Sequence, residues 1–412
     1  MQFQQLLPHA GVELQLKDMV NNNRLSHALL FLGKEGSGSL PMAIALAQYV
    51  LCERVNQTPA GVAGPSLFGE EAVPMTVKDP LPDSCGECAS CIKISKLAHP
   101  DLHFSYPVIK RDGNHSRVLS TDYLAEWREF ISQSPYGNVN DWIDHLKNNA
   151  HSKIESPANK QANISSKECE DILHKLSLKA FEGEYKILIL WMPEFLRAEG
   201  NKLLKLIEEP PPGTLFILVA EDEDLILPTI LSRTQLVKIP RYEPAVVAQF
   251  LENKGMAPQR AVRVASMCEG NVRDALLVSA EGEDDWLQQV RNWLNVTVKG
   301  NVGGQLKWIE EVSALGRDKQ KQFLRYFIHL LEQALRVRYL PEEHWSMLPT
   351  GAVDFAIKLN NMCSPEAQEA MVNELDKAIY HIERNAHGKI LFHALTIRLY
   401  HIIKDNSLIL IH

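Results

Sequence analysis

Three short apolar segments constrain the fold of this chain more than any other feature. Residues 27–33 read HALLFLG, residues 185–191 read YKILILW and residues 214–220 read TLFILVA. Continuous apolar and β-branched runs of this length are typical of strands that are buried on both faces of a parallel sheet. Because helical segments lie between them, the sequence predicts a doubly wound α/β domain, a parallel sheet flanked by helices, over residues 1–240.

Length and charge limit the classes of protein that remain. A chain of 412 residues exceeds the size of one hydrophobic core, so two or three domains are expected. Lys and Arg number 43 against 51 Asp and Glu, a net charge of -8, which disfavours a protein that holds nucleic acid unaided. Without a long apolar run or a basic, apolar leader at residues 1–10, a cytoplasmic protein outside the membrane is expected.

The segment that follows the first apolar run is rich in glycine. It reads FLGKEGSGSL, and Gly33, Gly36 and Gly38 lie where the pattern G-x-x-x-x-G-K-[ST] has its phosphate-binding loop. Ser39 and Leu40 stand at the positions of its lysine and hydroxyl. The apolar helix PMAIALAQYVLC follows, so the order is strand, loop, helix. Two interpretations stay open: a degenerate phosphate loop that binds nucleotide weakly through backbone N–H groups, or a tight strand-to-helix turn.

A cluster of cysteines indicates a metal site. Cys85, Cys88 and Cys91 form C-x-x-C-x-x-C, and Cys52, at the end of the helix after the glycine loop, is the candidate fourth ligand. Four thiolates suit a closed, structural Zn²⁺ site, and an iron–sulfur cluster is the competing interpretation. Residues 53–84 separate Cys52 from the other three, so its assignment is the least secure. The remaining cysteines are predicted to be buried apolar residues: Cys169, Cys268 and Cys363.

The rest of the chain predicts insertions and helices. Residues 56–84, rich in Pro, Gly and small polar residues, and residues 110–165, with an Asn-rich stretch, are predicted insertions whose role the sequence does not assign. Beyond the α/β domain only helical periodicity remains. The sequence predicts a small helical lid over residues 241–282 and a helical domain over 283–412, with a break between its last two helices near Gly388.

Several of these motifs coincide, in order, with those of the AAA+ clamp-loader family of bacterial DNA polymerase III. The chain resembles this family from about residue 24 to 280 and most resembles its delta-prime members. A weaker resemblance covers the C-terminal helices, through RNAHGKILFHALTIRL. The matching segments are SHALLFLG, CGECASC, NKLLKLIEEPPP, LPTILSRTQ and EGNVRDAL.

The resemblance implies a three-domain architecture and a role in replication. The family has an α/β nucleotide-binding domain, a helical lid and a helical collar that joins subunits into an open ring, which seats the sliding clamp on primed DNA. It implies gamma/tau and delta subunits as partners, contact with clamp and DNA through the complex, and no membrane. Because these family members carry a zinc module at this place, the resemblance favours structural zinc over an iron–sulfur cluster.

The resemblance also indicates which catalytic groups are missing. Aligning KILILWMPEFL with the family's second strand puts Trp191 and Met192 where an acidic pair binds Mg²⁺ and orients water, and Glu194 lies further along. With Ser39 and Leu40 in the loop, no group remains to hold the metal or stabilise the transferred phosphoryl group. We expect no ATP hydrolysis by this chain alone, and weak ATP binding if any.

One arginine is expected to act on a neighbouring subunit. In LPTILSRTQ, Ser232 and Arg233 match a family stretch whose arginine reaches into the ATP site of the adjacent subunit, while Thr234 replaces a cysteine. A guanidinium suits this role because it is always charged and its planar donors match phosphate oxygens. The competing interpretation is that Arg233 pairs with a local carboxylate on its own surface.

A second arginine matches a position that senses nucleotide in active relatives. Arg273, in GNVRDAL, corresponds to the lid arginine that contacts the γ-phosphate. With a silent loop opposite it, an ion pair with a neighbour such as Asp274 or Glu269 is an equal expectation.

Two other functions compete with a silent clamp-loader subunit. One is an ATP-hydrolysing, gamma/tau-like subunit whose loop tolerates substitution, and the missing lysine and carboxylates count against it. The other is a free-standing, zinc-dependent DNA-binding module, which the net charge of -8 disfavours.

Overall fold

The structure is a computed structural model. It describes residues 1–56, 83–109, 118–148, 162–280, 284–339, 350–384 and 386–405. Most of the insertion predicted over 56–84, and parts of that over 110–165, lie outside the described residues. The chain divides into two compact units, one formed by Met1–Val246 with Gly270–Arg273, the other by Val247–Glu269 with Asp274–His412. None of the helices that are described is both long enough and apolar enough to cross a membrane.

The first unit is built around one parallel sheet. The strands are Ala28–Leu32 (β1), Leu102–Ser105 (β2), Lys186–Trp191 (β3), Thr214–Ala220 (β4) and Gln235–Lys238 (β5). Their order in the sheet is β2-β3-β4-β1-β5, and Leu30 of β1 lies opposite Leu218 of β4 and Leu236 of β5. The three predicted apolar runs are confirmed as the central strands β1, β3 and β4, while the short edge strands β2 and β5 were not predicted.

Helices cover both faces of this sheet, as the buried strands require. Alternate strand residues point to opposite sides: Leu29 and Ile189 pack in the core that contains the second helix, whereas Leu30 and Leu190 pack in the core that contains the seventh. The helices are Ala10–Asn21 (α1), Ser39–Val50 (α2), Glu53–Asn56 (α3), Ala89–Ser95 (α4), Leu124–Gln133 (α5), Val139–Asn148 (α6), Ser166–Ser177 (α7), Leu204–Glu208 (α8) and Pro228–Leu231 (α9).

Short 3₁₀ turns complete the first unit, and one of them corrects an expectation. The segment RAEGNKLLKLIEEPPP predicts one helix stopped by prolines, but only α8 is α-helical, and Pro193–Leu203 is a 3₁₀ segment. Arg197 lies at φ 48 and ψ -135, which no helix accommodates. The other 3₁₀ turns are Phe3–Gln5, Ser120–Tyr123 and Glu223–Leu225.

After β5 the described chain contains only helices. The break predicted near Gly388 is confirmed, since Gly388 begins the last helix. The core of the second unit contains Trp293 stacked on Trp308, with ring centroids 4.4 Å apart, beside Phe323 and Phe327. The helices are Pro244–Asn253 (α10), Pro258–Met267 (α11), Val272–Ala280 (α12), Asp284–Val298 (α13), Val302–Ser313 (α14), Arg317–Tyr339 (α15), Thr350–Met362 (α16), Pro365–Glu383 (α17) and Gly388–Asp405 (α18).

Candidate functional site

The glycine-rich loop joins β1 to α2, as the sequence predicts, at the carboxyl edge of the sheet. The Gly33 N–H donates to the Ala220 carbonyl at the end of β4 over 3.1 Å. Ser39 is the first residue of α2, and its Oγ lies 2.9 Å from Oγ of Ser37. The loop therefore has the position of a phosphate-binding loop, with hydroxyl groups rather than an ammonium group at the start of the helix.

Side chains of the same unit pack closely against two glycines of the loop. A Cβ on Gly38 would lie 2.3 Å from the Tyr242 hydroxyl, and a Cβ on Gly36 would lie 1.8 Å from Oδ1 of Asn271. Both glycines have a positive φ, of 81° and 72°, which only glycine adopts at low cost. The cavity that remains beside the loop measures about 30 Å³, roughly the volume of one water molecule.

Two neutral side chains pack on the loop. His9 Nε2 donates to the Ser37 carbonyl over 2.8 Å, and its ring stacks on Tyr242 with centroids 4.0 Å apart. Burial lowers the pKa of His9 and raises the pKa of Tyr242. At neutral pH the imidazole and the phenol are therefore both uncharged, and they offer no positive charge to a phosphate.

Arg273 lies in an ion triad with two carboxylates. Its Nε and Nη2 donate to the two oxygens of Asp141 over 2.5 and 2.6 Å, and its Nη1 donates to Glu35, a loop residue, over 2.7 Å. Asp274, one of the partners predicted for Arg273, instead pairs with Arg325. The Arg273 side chain is only 4% exposed. Arg273 therefore links the loop, through Glu35, to α6, through its bidentate contact with Asp141.

Breaking the ion triad is expected to destabilise the first unit. Arg273→Met leaves Glu35 and Asp141 facing each other without their cation, which costs about 3 kcal/mol for a largely buried pair. Urea unfolding followed by tryptophan fluorescence measures the loss. Lys34→Met removes a cation from an exposed position of the same loop and serves as the matched control, with an expected effect within about 0.5 kcal/mol. Equal stability of the two variants would contradict a structural triad.

The positions of the expected catalytic carboxylates are apolar and buried. Trp191 and Met192 are 3% and 5% exposed at the end of β3, and Trp191 packs 5.2 Å from Trp127 between ring centroids. Glu194 accepts hydrogen bonds through Oε1 from the N–H groups of Glu221 and Asp222, over 2.7 and 3.0 Å. Burial raises the pKa of Glu194. Its carboxyl group anchors the turn after β4 rather than facing the loop.

Arg233 follows α9 and lies at the surface. Its Nε donates to the carboxylate of Glu208, the last residue of α8, and its Nη1 donates to the Thr229 carbonyl over 2.8 Å and to Ser232 Oγ over 3.1 Å. The side chain is 34% exposed. The sequence analysis gave a local carboxylate as the alternative partner of Arg233. In the structure that carboxylate belongs to Glu208.

The four predicted metal ligands come together. The sulfur atoms of Cys52, Cys85, Cys88 and Cys91 all lie within 4.8 Å of one another, and those of Cys85 and Cys91 are 3.9 Å apart. Cys52 follows α2, whereas Cys88 caps α4 and Cys91 lies in its first turn. Cys52 thus belongs to the cluster, although it lies far from the other three cysteines in sequence. Residues 57–82, between them, are outside the described part of the chain.

The cluster suits a tetrahedral metal ion. Zinc–sulfur bonds of about 2.3 Å place sulfurs roughly 3.8 Å apart, which matches the Cys85–Cys91 spacing. Backbone N–H groups of Cys85, Cys88 and Cys91 donate to cluster sulfurs over 3.3, 3.3 and 3.4 Å. The hydrogen bond from the Cys91 thiol holds the pKa of Cys52 well below its usual value, so the cluster favours a thiolate even before a metal binds.

Comparison with known proteins decides the family. The model of the family described as "DNA polymerase III, delta subunit" matches residues 9–64 and 72–243. The chain belongs to this family. The match covers the glycine loop, most of the segment that holds the cysteines, and the stretch around Arg233.

Curated relatives of this delta-family chain carry two kinds of name. DNA polymerase III subunit delta′ of Bacillus subtilis is 24% identical over 269 residues, and that of Haemophilus influenzae 22% over 268; each alignment covers 65% of this chain and 58% of the relative. DNA polymerase III subunit gamma/tau of Mycobacterium bovis is 23% identical over 284 residues, covering 67% of this chain and 36% of the relative. The chain thus spans 58% of the length of these two delta′ relatives.

Some contacts in this delta-family chain had no signal in the sequence analysis. Glu53 Oε1 accepts hydrogen bonds from the Ser90 N–H and Oγ over 3.0 and 3.1 Å and joins α3 to α4 beside the cysteines. The position of Glu53 next to Cys52, and of Ser90 next to Cys91, is the one hint that the sequence contains. The other cysteines are buried, as predicted: Cys169, Cys268 and Cys363.

Proposed function

We propose that this chain is a non-hydrolysing, delta-prime-like subunit of the DNA polymerase III clamp loader. With gamma/tau and delta subunits it would help to seat the sliding clamp on primed DNA. The observation that carries the proposal is the glycine loop, which has Ser39 and Leu40 in place of its lysine and hydroxyl and shares its cavity with the apolar Trp191 and Met192.

The chemistry of phosphoryl transfer explains why these differences matter. A P-loop lysine, a Mg²⁺-binding hydroxyl and an acidic pair together offset the charge on the transferred group. In this chain, Trp191 and Met192 are apolar, and Glu194 is committed to the turn after β4. The gamma/tau-like alternative retains support from the gamma/tau relative, but this chain lacks the lysine, the hydroxyl and the acidic pair that the reaction requires.

Arg233 is proposed to complete the ATP site of a neighbouring subunit. In the isolated chain it pairs with Glu208. Arg233 and Glu208 are 34% and 43% exposed, and such surface pairs contribute only about 0 to 1 kcal/mol. Transfer of the guanidinium from Glu208 to a triphosphate therefore costs little, and Glu208 keeps the arginine positioned until a partner binds.

The remaining parts of the chain are proposed to follow the family's architecture. Residues 241–282 form the helical lid and residues 283–412 the collar, which would join this chain to its partner subunits. The cysteine cluster is proposed to hold a structural zinc ion. Its four protein ligands leave no coordination position for catalysis.

Nucleotide assays on the purified chain test the proposal. We expect no phosphate release above background and no saturable binding of a fluorescent ATP analogue. Ser39→Lys restores the missing lysine, but we expect it to leave both results unchanged, because Leu40, Trp191 and Met192 still leave Mg²⁺ without its hydroxyl and acidic ligands. A gamma/tau subunit serves as the positive control. Turnover by the wild-type chain that disappears on changing Ser39 would support the gamma/tau-like alternative instead.

A further inference from the structure

The second unit contains an open apolar groove between α17 and α18, within the residues proposed as the collar. Its cavity volume is about 260 Å³, far above the roughly 30 Å³ of one water molecule. Ala378 of α17 and Leu391, Ala394 and Leu395 of α18 form its apolar lining, and Ile390 at its edge is 69% exposed. The apolar lining is thus concave and open to the surface, which is the usual form of a binding site.

The rim of the groove is basic. Lys377 and His381 line it from α17, and Arg398 lines it from α18. Glu374 is the single acidic residue among the described residues of the lining, and it accepts hydrogen bonds from both Lys377, over 2.7 Å, and Arg398. The two cations outnumber this one carboxylate, so the rim has a net positive charge.

We propose that this groove binds an acidic segment of a partner protein that inserts one large apolar side chain. The cavity has the volume for such a side chain, and a buried anchor of this kind supplies most of the energy in many interfaces. The cationic rim selects acidic residues on either side of the anchor. A second copy of this chain fits less well, because a symmetric contact would bring two basic rims together.

Fluorescence anisotropy with synthetic peptides tests the groove on the full-length chain. The probe is a fluorescein-labelled peptide with a central Phe flanked by Asp and Glu. The comparison peptides carry Ala in place of Phe, or Lys in place of the acids. We expect the Phe peptide to bind at least about tenfold more tightly than either comparison peptide. Equal binding of the Phe and Ala peptides, or no binding, overturns the proposal.

Two variants of α18 locate the binding site. Ala394→Glu places a carboxylate in the apolar lining, and we expect it to weaken binding of the Phe peptide by about tenfold or more. Ile397→Glu adds the same charge at a residue that is 57% exposed and outside the groove lining, and we expect less than about a twofold change. Circular dichroism checks that both variants fold. Equal effects of the two variants overturn the proposal.

Two other occupants give distinct results. If the wild-type chain sediments as a dimer and Ala394→Glu makes it a monomer, a second copy covers the groove. If a chain that ends at Asp405 binds the Phe peptide and the full chain does not, residues 406–412 occupy the groove. Either result overturns the proposal, and neither bears on whether the chain hydrolyses ATP.

Discussion

Replacing Arg233 with alanine is expected to lower ATP turnover at the adjacent site of an assembled clamp loader by about 10³-fold or more, the usual contribution of an arginine supplied in trans. Sites between other subunits keep their own arginines, so total turnover falls only by the share of the affected site. Single-turnover phosphate release from the loader, with clamp and primed DNA present, separates the two classes of site. We expect a slow phase of phosphate release, from the affected site, only in the loader that contains Arg233→Ala.

Two further variants distinguish this role from a structural one. Arg233→Lys keeps a positive charge but lacks the planar, forked donors, so we expect most of the loss to remain. Glu208→Ala removes the local partner of Arg233 and should leave turnover at or above the wild-type rate. Gel filtration shows whether each complex assembles. Full turnover by an assembled Arg233→Ala loader would contradict the proposed role.

The sequence was informative where the structure depends on local pattern. The central strands β1, β3 and β4 were predicted because both of their faces are buried, which leaves continuous apolar runs. The glycine loop and the C-x-x-C-x-x-C motif were visible because their spacing is local, and Cys52 was named as the candidate fourth ligand from its place after the first helix of the loop motif. The segment that begins at Arg197 was predicted as one helix up to the prolines, but residues 197–203 lie in a 3₁₀ segment in which Arg197 has a positive φ, and apolar periodicity does not report that angle.

Contacts between distant residues left no such pattern. Arg273 lies 132 positions from Asp141 and 238 from Glu35, so the sequence suggested nearby carboxylates as its partners. The same holds for His9 and Tyr242, which the fold brings together over the loop. A lone histidine and a lone tyrosine carry no local signal of their role. The packing of His9 and Tyr242 on the loop is therefore a property of the tertiary structure, whereas the missing lysine is a property of the sequence.

Removing the metal is expected to have the largest effect on stability. We expect purified protein to contain one zinc ion per chain, by elemental analysis, with Cys52, Cys85, Cys88 and Cys91 as ligands. Structural zinc sites bind with an apparent free energy of about 10 kcal/mol or more near neutral pH. Because the four sulfurs come from two segments, the ion would tie α2 to α4. Loss of zinc should therefore release α4 and lower the melting temperature of the first unit.

Cysteine variants and pH locate this effect at the cluster. Cys88→Ser should lose the zinc and the associated stability, whereas Cys169→Ala, at a buried cysteine outside the cluster, should keep full zinc content. Zinc should also dissociate as the pH falls, because protons compete with the metal for thiolates. Iron in place of zinc, with the colour of a cluster, would indicate an iron–sulfur site. Full zinc content in Cys88→Ser would mean that the ion binds elsewhere.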